Sequence, residues 1–252
     1  MELVKFFSFF LLFFNLIKES LGSVKYIDVT SENQLKDALN EDTDIVINIK
    51  NDIVVNDTEK LQISNQISKV TIKGESPSKS KLIFSHQNSG IYFDKYINEI
   101  NISDITLASS MTFLSNENIK FDNVIIDDGE YYFNMTMINQ HNITITNSRF
   151  NPPQYEKSYY MTLYQAYLYI DHTQFYINKN IQNGIILMKN ENNFHAYGKL
   201  HLTNVLLSGG YESRFFDIHN VKEVKLIDSE VKEAFSKSNL YLIFFFIILL
   251  NG

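Results

Sequence analysis

Between residues 70 and 231 the chain repeats an eight-residue frame. Positions one and three are apolar, and position five is a short polar residue or His. The frame reads Ile100-Asn-Ile-Ser-Asp104-Ile-Thr-Leu107, then Ile119-Lys-Phe-Asp-Asn123-Val-Ile-Ile126, then Ile143-Thr-Ile-Thr-Asn147-Ser-Arg-Phe150. It continues as Leu168-Tyr-Ile-Asp-His172-Thr-Gln-Phe175, Leu200-His-Leu-Thr-Asn204-Val-Leu-Leu207 and Val224-Lys-Leu-Ile-Asp228-Ser-Glu-Val231. A shorter relative is Val70-Thr-Ile-Lys-Gly74. From Asp104 onward the fifth positions lie 19, 24, 25, 32 and 24 residues apart.

Alternating apolar residues predict a strand with one face turned inward. The polar fifth residue then predicts a corner, because Asn and Asp tolerate the left-handed backbone region and bond their own main chain. A fresh apolar residue after the corner starts the next strand. Self-similarity at this period is the mark of stacked coils, which place like residues on like. Asp104, Asn123, Asn147, His172, Asn204 and Asp228 are therefore expected to form an internal or corner ladder sharing amide hydrogen bonds. Leucine-rich repeats have a similar period but set Asn three residues after the second Leu. Here the gap is two, and the strands favour Ile and Val.

Upstream, Ser31-Glu-Asn-Gln34 has a capping-box pattern and predicts a short amphipathic helix through Leu35, Ala38 and Leu39. Strands are expected at Asp44–Ile49 and Ile53–Val55. A helix at this point covers the open end of a solenoid core, where strand edges would otherwise be exposed. With this cap and repeat, residues 24 to 235 resemble the right-handed parallel β-helix, or pectin-lyase-like, superfamily. The resemblance lies in repeat and cap, and no catalytic signature carries it. The expected fold is all-β: a right-handed parallel β-helix of about seven or eight coils over residues 23–235.

The ends read differently. A basic residue, the apolar run Phe6 to Ile17 and a small-x-small ending at Ser20 and Gly22 predict a signal peptide over residues 1–22. Residues 236–252 form an apolar tail, with Leu240 to Leu250 uninterrupted. About 16 Å of helix is too short for a hydrocarbon core of about 30 Å. The tail resembles a GPI-attachment signal without the usual polar spacer. A truncated sequence, or packing on the solenoid end, remain open beside that reading. The expected location is secreted or on the outer cell surface, with a membrane tether through the tail.

Composition narrows the function classes. The net charge of −7 argues against nucleic acid as a partner, since phosphate binding needs clustered Lys and Arg. The 44% hydrophobic content suffices for a core, and the absence of Cys removes thiol catalysis and thiolate metal sites. No cofactor motif occurs, and the six histidines lack HxxxH or HxH spacing, so no metal site is expected. Four sequons, at Asn56, Asn101, Asn134 and Asn142, are glycosylation candidates in a secreted chain.

Two short motifs invite a catalytic reading. Ile170-Asp171-His172 is similar to a pectate-lyase motif, but His172 occupies the corner position of the repeat. Asp127-Asp128-Gly129 resembles the paired aspartates of polygalacturonases, where two carboxylates share acid and base roles. The partner motifs of those enzymes are missing, and a solvated turn accounts for the three residues. Tyr155, Tyr159, Tyr160 and Tyr164 follow Asn151-Pro152-Pro153 in a segment expected to project between coils, its rings either stacking on sugars or covering an exposed core face. The expected role is structural, adhesive or glycan-contacting, with polysaccharide or cell-surface glycans as partners and no catalytic residues. The alternative is a polysaccharide lyase or hydrolase acting on pectin-type polymers through Asp127 and Asp128.

Overall fold

A computed structural model describes residues 24–134, 142–189, 198–209 and 215–232. The signal-peptide segment, the apolar tail, His141, His195 and Arg214 lie outside the described residues. Those described form a parallel β-helix. Strands such as Asn142–Thr146 bury alternate residues, here Ile143 and Ile145, because alternate side chains leave a pleated strand on opposite sides. Every strand pair is parallel, and the register carries the frame from coil to coil. Ile100 pairs with Ile119, Ile119 with Ile143, Ile143 with Leu168, Leu168 with Leu200 and Leu200 with Val224.

Each coil has three faces. The first runs from Lys25–Val29 through Ile45–Ile49 and Lys69–Gly74 to Glu223–Ile227. A second continues the same sheet around the corner, from Ile53–Val55 to Glu230–Lys232, with Glu99–Ala108 and Asn118–Asp128 each spanning both faces. The third is a separate seven-stranded sheet from Lys60–Gln62 to Phe216–His219. Seven complete three-faced coils stand among the described residues, with partial coils at both ends.

The core is one column of Ile, Leu, Val and Phe. Phe93, Phe113 and Phe133 occupy the same register position on the third face and stack at 4.8 and 4.6 Å. Such ring pairs add about 0.5–1.5 kcal/mol each beyond their burial. At the N-terminal end the helix Glu32–Leu39 lays Leu35, Ala38 and Leu39 into the core. Ser31 caps it by accepting from the Gln34 amide. The Gln34 side chain reaches back to the Thr30 amide at 2.8 Å, one residue earlier than a capping box requires. A strand, Lys25–Val29, precedes this helix and was not expected. Its pairing with Ile45–Ile49 completes the first edge.

All six fifth-position residues have φ between 47° and 55°. They lie on the outer corner, half-buried at Asp104 and exposed at the other five, so the ladder is not internal. Its amide bonds are partly displaced too. Asn123 donates to Asp104 at 2.8 Å, but Asn147 and Asn204 donate to the fourth-position carboxylates Asp122 (2.9 Å) and Asp171 (3.2 Å). Gly74 differs again. It is buried, and a Cβ there would sit 2.3 Å from the Asp104 carbonyl. Glycine is needed at this corner for space rather than for φ.

Candidate functional site

The candidate site is a cleft of about 530 Å³ where the second face turns into the third, across successive coils. Its lining includes Lys81, His86, Ser110, Asp127, Asp128 and Lys157, with Gln154 and Tyr155 at the rim. That volume lies in the range of small-ligand pockets. Gly129 belongs to the same wall. A Cβ there would lie 2.0 Å from the Ser109 carbonyl, so the close approach of neighbouring coils depends on a glycine.

Asp127 and Asp128 do not form the expected solvated turn. The strand Asn118–Asp128 runs through both, and both are half-buried. Adjacent residues of a regular strand face opposite ways, yet here both line one cleft. The pairing with Glu99–Ala108 slips between Ile126 and Asp128. A second slip falls between Lys157 and Tyr159 in the pairing with Ile181–Lys189. Bulges of this kind re-aim side chains, and these two flank the Asp128–Lys157 pair.

The pair is the electrostatic centre of the cleft. The Lys157 ammonium lies 3.0 Å from Asp128 Oδ1, with the two side chains only 4% and 18% exposed. Oδ1 nonetheless has no aligned hydrogen-bond donor, so the contact is Coulombic. Nearby, the buried Tyr131 hydroxyl also has no hydrogen-bond partner. Burial, and then the Asp128 charge, push the Tyr131 hydroxyl well above the usual tyrosine range. Tyr160 is shifted the same way by the same two causes. Asp127 Oδ1 accepts from the Asn151 side chain, whose own oxygen accepts from Arg149 Nε at 2.6 Å. Arg149 is stacked on Tyr176 at 4.7 Å, away from the cleft lining.

The four candidate tyrosines are not brought together. Residues 151–156 form a short turn held by Asn178 and Asn180 of the next coil, which donate to the Pro153 and Gln154 carbonyls. Lys157–Tyr164 is then a strand of the third face, so the expected projecting insertion does not exist. Tyr160 points into the core and is fully buried, its hydroxyl shared between the Asn151 and Tyr176 carbonyls. That burial removes it as a sugar contact. Tyr159 bonds Asp217 at 2.8 Å, and Tyr164 packs on Tyr132. Tyr155 alone of the four lines the cleft, 57% exposed.

No protein-family model matches the chain, and no curated protein matches it.

The remaining candidates are spread over the solenoid. His172 is an exposed corner residue bonded to Asp171 at 2.8 Å. Asn56 is exposed just after Ile53–Val55. Asn101 and Asn142 face outward, between or beside buried isoleucines, and Asn134 ends the strand Tyr131–Asn134. Among the described residues no group of three or more His, Asp or Glu is placed to hold a metal, and no helix is long and apolar enough to cross a membrane. Sequence reasoning missed Lys157, Tyr131 and Asn151. None sits in a motif, and the bulges that make the site leave no periodic trace in the sequence.

Proposed function

We propose that the protein is a secreted or cell-surface member of the pectin-lyase-like β-helix superfamily that contacts glycan chains through this cleft. The observation that carries the reading is the convergence of an exposed aromatic rim residue, Tyr155, with carboxylate and ammonium groups on a concave floor. A ring of this kind covers the C–H face of a sugar, and the charged groups bond its hydroxyls. The rim turn is pinned by Asn178 and Asn180, so little ordering is needed on binding. Screening the full chain against immobilised glycans tests this. Tyr155→Ala should weaken the glycans that bind about tenfold, and unchanged binding would exclude the cleft.

A second reading, a polysaccharide lyase or hydrolase, is favoured by one observation: the bulge sets Asp127 and Asp128 on the same cleft. Release of reducing or unsaturated sugar ends that disappears in Asp127→Asn or Asp128→Asn would establish it over simple binding. Mass spectrometry of the mature protein tests the address. The expected result is an N-terminus near Ser23, a modified or shortened tail, and glycan on Asn56.

A further inference from the structure

We infer, resting on the glycan reading of the cleft, that its ligand is a neutral, hydroxyl-rich sugar chain and not a polyuronate. Among the described residues the charges lining it cancel: two carboxylates, Asp127 and Asp128, and two ammonium groups, Lys81 and Lys157. Lys157 is not available to an anion, because it is 4% exposed and already 3.0 Å from Asp128. Among the described residues, a polymer with one carboxylate per sugar would therefore meet a single uncommitted ammonium, Lys81, beside the uncommitted carboxylate of Asp127. Like charges repel more strongly in a partly desolvated cleft than in water. The usual bidentate partner of a carboxylate is Arg, and Arg149 is engaged with Asn151 and Tyr176 outside the lining.

Neutral sugar hydroxyls fit the same groups. Asp127 is half-buried and uses one oxygen toward Asn151, leaving lone pairs for a further donor. A pair of adjacent hydroxyls can donate to the Asp127 carboxylate and accept from the Lys81 ammonium, which has three protons to place. Tyr155 then covers the apolar face of the ring. Both uncommitted groups gain a partner without a net change in charge.

Calorimetric titration of the full chain with neutral manno-, gluco- and galacto-oligosaccharides, beside oligogalacturonates of equal length, tests the inference. A neutral series should bind at least about tenfold more tightly than the uronates, with little dependence on salt. Asp127→Asn supplies the second arm, since its carboxylate is only half-buried and its loss leaves the Asp128–Lys157 pair intact. It should weaken neutral sugars about tenfold and strengthen oligogalacturonate. Tighter, salt-sensitive binding of oligogalacturonate would overturn the neutral-sugar inference while leaving the glycan reading in place. Binding of neither series would overturn both.

Discussion

Ser148, Thr173 and Ser229 follow the fifth-position residue of their frames, and their hydroxyls join coil to coil. Each donates to the carbonyl two residues back: Thr146 at 2.7 Å, Asp171 at 2.9 Å and Ile227 at 2.9 Å. Each also accepts a main-chain N–H from the preceding coil, from Val124, Ser148 and Val205 respectively. Ser148 and Thr173 are buried, so these amides have no water to replace the bond. Leaving a buried donor unsatisfied costs about 1–3 kcal/mol. Ser148→Ala should therefore destabilise the protein by about 2 kcal/mol, read as a lower urea midpoint at unchanged slope. Ser148→Thr, which keeps the hydroxyl as Thr173 does, should restore most of it. Equal stability of the Ala and Thr variants would show that the hydroxyl bond contributes nothing.

At the scale of elements, legibility in the sequence followed how strictly an element repeats. The first face and its corner were readable because Ile100, Ile119, Ile143, Leu168, Leu200 and Val224 stack in register, and the left-handed fifth residue after them is Asn, Asp or His in all six frames. A second set of left-handed corners follows the third face at Ser115, Gln165 and Asn220. It was not readable, because the three residue types share no property beyond polarity. The third face itself was hidden by uneven turns. One residue, Ser109, separates it from the second face in one coil, and the six residues 151–156 do so in another. The tyrosine-rich run accordingly resembles an insertion in sequence, although Tyr160, Met161 and Leu163 carry the core through it. The cleft depends on two bulges, where one extra residue breaks the alternation on which strand reading rests. A reading built on period two has no means of placing both Asp127 and Asp128 on one surface.

Across the whole molecule, stability is a sum over coils and their neighbour contacts, and acid should act on that sum through carboxylates spread along its length. Asp28 is held below the usual range chiefly by Asn48, Glu32 by Lys36, Asp122 by Thr146 and Asp171 by His172. Glu223, on the last strand of the first face, is held down to about 2 by the hydrogen bond from Lys225 and then by Lys199. A carboxylate whose folded pKa lies below its unfolded value favours the native state above the unfolded pKa. That contribution disappears as pH falls through the folded value. Unfolded Asp and Glu titrate near about 3.9 and 4.3, so the urea midpoint should be lost between about pH 4.5 and pH 2. These groups are largely solvent-exposed and screened by salt, so the effect belongs to low ionic strength. Glu223→Gln removes one such group from an end coil. Its midpoint should lie below wild type at pH 6 and converge on it by about pH 2. Hydrogen exchange should show the loss first in the amides of Glu223–Ile227, because a solenoid transmits a change at one coil mainly to the next. Parallel pH curves for wild type and variant would show that the Glu223 cluster does not stabilise the C-terminal coil.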